Sequence, residues 1–251
     1  MLKEDRYEKI LQILSTNTYT TAAQLAKQLY VSLPTIRRDL AELQKRNLLL
    51  RNHGGAKKID AAHFEIPLEF RKAYNQAQKR LLCEAAVSLL QDNNILFIDA
   101  STTALALIPL LGRFHKLTVI TNGIPAALLL QKQGISAFST GGEVQGVSLG
   151  YAGNHAVDFV RRFNVDVAFF SSYGVNKQGQ IVDTSLPETD LRRAVLQNAK
   201  TRVFLCDATK FYRDAPYNLC PLQAVDYVVT DAPPESVKGQ RVCDLTYRFN
   251  A

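Results

Sequence analysis

Over the first fifty residues the apolar positions recur every three or four. Tyr7, Ile10, Leu11 and Leu14 form one such stripe, the pattern of an amphipathic helix over residues 2–14. A second helix is predicted after Thr20 or Thr21, either of which can cap it, with Ala22, Leu25, Ala26 and Leu29 on its inner face. Val31 and Ser32 interrupt that stripe. Ser32 is a favourable N-cap and Pro34 is tolerated in a first turn, so a third helix follows, running to about Arg46 on Ile36, Leu40 and Leu43. Asn47 can adopt the left-handed stop. Residues 48–51 read as a short strand, 52–55 (Asn-His-Gly-Gly) as a turn and 56–59 as the returning strand, a two-stranded wing. The segment 60–75 is mixed in composition and contains Pro67. It is assigned as the linker between a first domain of residues 1–59 and a second of residues 76–251.

In the second domain, helical stripes alternate with short apolar runs at 95–98, 117–120, 137–139, 165–170, 203–206 and 227–229. That alternation predicts an α/β domain whose sheet is largely parallel and covered by helices. Several runs end in polar or glycine-rich residues: Asp99-Ala100-Ser101-Thr102-Thr103, Thr121-Asn122-Gly123, Thr140-Gly141-Gly142, Ser171-Ser172-Tyr173-Gly174 and Asp207-Ala208-Thr209-Lys210. Open parallel sheets bind ligands at the carboxyl ends of their strands, so these loops are candidates to line one pocket. The first of them opens a helical stretch over 104–111, where backbone N–H groups and the Ser and Thr hydroxyls would suit an anion. Taken alone such a loop is more often an ordinary N-cap, and a lone Lys210 more often a surface charge than a ligand contact.

Composition narrows the class. The 251 residues are 47% hydrophobic, enough for a sizeable core. The net charge is +7 and the pI about 9.2. The excess is uneven: residues 1–60 carry 11 Lys+Arg against 6 Asp+Glu, and residues 61–251 carry 19 against 17. A polyanionic partner is therefore expected at the first domain. Cys83, Cys206, Cys220 and Cys243 lie far apart, with no CxxC pair and no histidine spaced to complete a zinc site, so neither metal nor cofactor is expected. The charged start of the chain and the lack of any long apolar run lead to the expectation of a cytoplasmic protein with no membrane partner.

Three helices and a wing form a winged helix-turn-helix, in which the third helix enters the major groove of DNA. Ile36 and Leu40 turn inward and leave Thr35, Arg37 and Arg38 free for DNA. Arginine suits that task because its planar fork binds guanine or phosphate in two places. The run Val31-Ser32, then Thr35-Ile36-Arg37-Arg38-Asp39-Leu40, Leu43 and Arg51-Asn52-His53-Gly54-Gly55-Ala56 resembles the N-terminal signature of the DeoR family of bacterial regulators. The chain departs from it in Asn47, where glycine is usual, and in Leu33-Pro34, where a more polar pair is usual. The resemblance implies a DNA-binding repressor of sugar catabolism with Ser32, Thr35, Arg37, Arg38, Arg51, His53 and Lys57 at operator DNA. It also implies an α/β sensor similar in fold to ribose-5-phosphate isomerase. By the same resemblance Asp99, Ser101, Thr102, Thr103, Thr121, Asn122, Gly141, Gly142, Glu188 and Lys210 are the residues expected around a phosphorylated sugar effector. Such regulators read two half-sites, so a homo-oligomer, dimer or tetramer, is expected. The rival reading is a sugar-phosphate isomerase. Against it, the acidic stretch Asp-Gly-Ala-Asp of those enzymes is replaced by Ser171-Ser172-Tyr173-Gly174, and Glu188 stands without them, so no catalytic residue is assigned. An RNA-binding protein is a third reading; the RNP signature is missing, and a helix-turn-helix with a wing suits duplex DNA better.

Overall fold

The structure is a computed structural model that describes residues 2–16, 19–45, 48–52, 54–57, 68–73, 75–231 and 242–244. The chain divides into two compact units, Met1–Ile66 and Pro67–Ala251. Arg46, Asn47, His53 and Pro67, named above, lie outside the described residues.

The first unit contains α1 (Lys3–Thr16), β1 (Thr20–Thr21), α2 (Ala22–Leu29), α3 (Leu33–Lys45), β2 (Leu50–Asn52) and β3 (Gly55–Lys57). Tyr7, Ile10, Leu14, Leu25, Ile36, Leu40 and Leu43, all picked out by the helical spacing, are buried together with Leu48, Leu49 and Ala56. Thr21 caps α2 in a reciprocal box with Gln24. The wing has three strands in the order β1-β3-β2, all antiparallel, rather than the expected two. The extra strand is two residues long, too short to register as a period. It pairs through Thr21 and Gly55, where a Cβ on Gly55 would lie 2.5 Å from the Thr20 carbonyl oxygen. The glycine is needed for that close approach. Asp39 of the recognition motif is buried, with Arg6 of α1 donating to both its oxygens. It therefore pins α1 to α3 and does not face DNA.

The second unit runs α4 (Leu68–Ala73), α5 (Gln76–Ala86), β4 (Ile95–Ile98), α6 (Thr102–Leu105), β5 (Thr118–Thr121), α7 (Ile124–Lys132), β6 (Ser136–Ser139), β7 (Glu143–Gln145), β8 (Gly150–Ala152), α8 (Asn154–Val160), β9 (Val165–Phe170), β10 (Gly174–Val175), β11 (Gln180–Asp183), α9 (Leu186–Asn198), β12 (Ala199–Leu205), β13 (Tyr217–Pro221), β14 (Tyr227–Thr230) and β15 (Val242–Asp244). Seven strands form a sheet in the order β15-β14-β12-β9-β4-β5-β6, and their pairings are parallel. The six apolar runs correspond to six of these strands. Leu96 and Ile98 enter one hydrophobic cluster and Phe97 another, so β4 is buried on both faces, as a parallel strand between helix layers must be. The hairpin β7–β8 and the antiparallel sheet β10-β11-β13 were not anticipated; their strands, two to five residues long, carry no sustained alternation. The end of the expected 60–75 linker is helix α4, hidden by its mixed composition. The helix expected over 104–111 is instead the four-residue α6 followed by a 3₁₀ turn at Ile108–Arg113, where Pro109 cannot continue an α-helix. No helix among the described residues is long and apolar enough to cross a membrane.

Candidate DNA-recognition face and effector crevice

On the first unit, α3 buries Ile36, Leu40 and Leu43 and turns Arg37 and Arg38 outward, both exposed. Ser32 caps it: its Oγ accepts from the Thr35 N–H at 3.3 Å and lies 2.8 Å from the Thr35 hydroxyl. The two hydroxyls fix the start of the helix and stay at its open end. Arg51 on β2 and Lys57 on β3 are exposed on the wing. Six of the seven expected DNA contacts are thus described, on α3 with its cap and on the wing.

On the second unit, the chain moves outward from β4 in both directions: to β5 and β6 on one side and to β9, β12, β14 and β15 on the other. The carboxyl ends of β4 and β9 therefore flank the crevice in which open α/β sheets bind ligands. Asp99 follows β4 and is 1% exposed. Its Oδ1 accepts from the Ser101 N–H (3.0 Å), and its Oδ2 accepts from the Ser171 N–H (3.3 Å) and from Arg192 Nε (3.0 Å). The Ser101 hydroxyl caps α6 by accepting from Ala104 N–H. Thr102 and Thr103 then supply N–H groups that no carbonyl of the turn can accept. Asn122 accepts from Ala100 N–H at 2.9 Å and donates to the Tyr151 carbonyl at 3.0 Å, and the Thr121 hydroxyl accepts from Gly123 N–H. These side chains hold the loops in shape. Gly141 and Gly142 have φ of 62° and 110°. A Cβ on Gly142 would approach the Ala152 carbonyl to 2.6 Å, so this loop packs on β8 and α8.

Lys210, after β12, crosses to the β9 loop and donates to Ser171 Oγ at 2.6 Å and to the Ser172 carbonyl at 2.8 Å. Burial lowers its pKa, opposed by the nearby Asp207 carboxylate. Glu188 does not stand alone. It is buried, accepts from the Ser148 hydroxyl, and shares Arg192 with two other acids. Arg192 donates through Nε to Asp99, through Nη1 to Asp183 (2.9 Å) and through Nη2 to Glu188 (3.1 Å). Burial disfavours its charge, but Asp183, Asp99 and Glu188 outweigh that and hold the guanidinium above its ordinary pKa. All three acids beside the crevice thus accept hydrogen bonds from one guanidinium and act as structural partners.

Sequence reasoning missed Lys79, Asp183 and Arg192. Lys79 sits among Leu82, Cys83 and Ala86 on the buried side of α5, donates to the Arg71 carbonyl, and has its pKa pushed down to about 8 by burial and by the charge of Lys210. A lysine on an apolar stripe, at positions i, i+3, i+4 and i+7, was the available signal. Among the described residues no cluster of His, Cys, Asp and Glu is placed to hold a metal.

Comparison with known proteins agrees with both units. Residues 6–62 match the model of the DeoR-like helix-turn-helix domain and residues 74–232 that of the DeoR C-terminal sensor domain. The chain is 30% identical to the glycerol-3-phosphate regulon repressor of Escherichia coli K12, with 93% of each chain covered. It is also 30% identical to the transcriptional regulator GolR of Listeria innocua, over 92% of this chain and 91% of that one. Among solved structures, ribose 5-phosphate isomerase A of Methanocaldococcus jannaschii aligns over 55% of each chain with a TM-score of 0.41 and 19% identity. From motif, fold and kinship together, the chain belongs to the DeoR family and is a DNA-binding transcriptional regulator rather than an enzyme.

Proposed function

We propose that this regulator acts in the cytoplasm as a homo-oligomeric repressor of a sugar-catabolic operon and leaves its operator when a phosphorylated sugar occupies the crevice beside β4 and β9. The observation that carries this reading is the pair Lys79 and Lys210. Both are desolvated, the charge of Lys210 lowers the pKa of Lys79, and the Asp207 carboxylate acts on both in the opposite direction. A phosphate dianion would stabilise two such cations, and the open N–H groups of Thr102 and Thr103 offer it further donors. The phosphate-side contacts are Ser101, Thr102, Thr103, Lys79 and Lys210, with Asp99, Thr121, Asn122, Gly141, Gly142 and Glu188 shaping the walls.

A route to the rest of the chain exists inside the same unit. α4 is the first described helix after residue 66, and its Leu68 N–H donates to the Val147 carbonyl, next to the Ser148 that holds Glu188. The Arg71 carbonyl accepts from Lys79. Occupancy of the crevice thus bears on the helix through which the chain arrives from the DNA-binding unit. In that unit Ser32, Thr35, Arg37, Arg38, Arg51, His53 and Lys57 take the operator, and two chains meet two half-sites. The test is Lys210→Ala, titrated calorimetrically with phosphorylated and free forms of candidate sugars. The variant should keep operator affinity and lose the response to effector, because an effector shifts only an equilibrium it binds unequally. Wild-type protein that binds free sugar as tightly as its phosphate ester would refute the phosphate site.

A further inference from the structure

Tyr30 closes α2 in a left-handed conformation, φ 54° and ψ 42°, and is 94% exposed. Nothing in the fold of the unit accounts for a tyrosine there. The left-handed cap is disfavoured for residues with a Cβ and is usually taken by glycine or asparagine. The capping itself is done by the backbone, whose N–H donates to the Ala26 carbonyl, and glycine would do that equally well. A ring this exposed buries no apolar area, so its hydrophobic value is unused within the unit.

Its position gives it a use. Tyr30 is two residues before Ser32, the cap of α3, and it belongs to the turn of the helix-turn-helix. Across this turn and the first two turns of α3, Tyr30, Ser32, Arg37 and Arg38 are all exposed, and the Ser32 cap joins the turn to the helix. A recognition helix that points its N-terminal turn into the groove brings the preceding turn up to the flanking strand. A phenol offers that strand a hydroxyl donor for a phosphate oxygen and a flat face for the sugar. We infer that Tyr30 is a DNA-contacting residue whose hydroxyl donates to a backbone phosphate beside the groove that α3 occupies.

The inference rests on α3 being the recognition helix, and the experiment keeps the two apart. Wild type, Tyr30→Phe, Tyr30→Gly and Arg37→Ala are titrated by fluorescence anisotropy over a salt series. The probes are duplex DNA from the gene's own upstream region and a mixed-sequence duplex of equal length. A lost hydrogen bond to a charged phosphate weakens Tyr30→Phe about tenfold on the upstream duplex. The slope of log affinity against log salt stays unchanged, because a neutral donor releases no counterion. Tyr30→Gly binds at least as weakly as Tyr30→Phe although relief of the left-handed strain raises its melting temperature. That opposition of stability and affinity is one a structural residue would not produce. Wild-type affinity in Tyr30→Phe overturns the inference, and so does a loss of affinity that tracks a change of oligomeric mass in sedimentation. Arg37→Ala that keeps both affinity and slope overturns the recognition-helix reading instead.

Discussion

At the scale of single residues, Lys79 shows how burial turns a common side chain into a titrating group near neutral pH. It is 5% exposed, and desolvation, with Lys210 acting in the same direction, brings its pKa from 10.5 to about 8. The unfolded chain therefore holds this proton more tightly than the folded one. Stability attributable to Lys79 should be flat below pH about 8, rise between about 8 and 10.5 as the folded form sheds a proton that the unfolded form retains, and level off above. Urea midpoints of wild type and Lys79→Met at the two ends of that window measure it: the wild type should gain relative to the variant as pH rises, and an equal change in both would exclude the assignment. Strand-end loops and family resemblance together singled out the candidate effector residues, Asp99, Ser101, Asn122 and Lys210 among them. They could not tell that Asp99 and Asn122 spend their hydrogen bonds on neighbouring loops. Lys79 was marked by its place on an apolar stripe, but its approach to Lys210 across the fold is not encoded in local spacing.

At the scale of elements, legibility followed length. α3 and the parallel strands were visible because several buried positions repeat in each: Ile36, Leu40 and Leu43 in the helix, and Phe97 and Ile98 with Leu96 in β4. β1, β7 and β8 were not, since strands of two or three residues show no period, and α4 was hidden among polar residues. α9 serves as a clamp, a role that no local pattern announces. Its Arg192 is 6% exposed and ties the helix to the loop after β4 through Asp99 and to the end of β11 through Asp183. Removing that cation leaves three buried carboxylates without it, and breaking a buried charge pair costs about 3–5 kcal/mol. Arg192→Met should lower the urea-unfolding free energy of the second unit by at least that amount. Arg192→Lys should recover only part of it, because one ammonium cannot reproduce three directed N–H donors. Full recovery in Arg192→Lys would mean that charge alone, not the guanidinium fork, holds α9 in place.

At the scale of the whole molecule, the chain is two compact units that meet in sequence between Ile66 and Pro67, with the net basic charge mostly in residues 1–60. Size alone makes the units unequal in stability. A domain of some 60 residues buries only about 60% of the surface its unfolded chain exposes, and one of 150 residues or more about 70%. The large sheet, whose central strand β4 is buried on both faces, should outlast the small winged domain on heating. Calorimetry should accordingly resolve two transitions, the lower from residues 1–66. Each ligand stabilises the unit that binds it: duplex DNA raises the lower transition, and a phosphorylated sugar raises the upper one. At a free concentration of one hundred times Kd the gain is about 2.7 kcal/mol, which is roughly 11–22 °C for the smaller unit and roughly 5–11 °C for the larger. The two ligands thereby label the two transitions in the intact chain. A single transition that shifts with either ligand would show instead that the units unfold as one cooperative body. In that case effector binding would have to reach DNA affinity through the stability of the whole chain, not through the helix that joins its two parts.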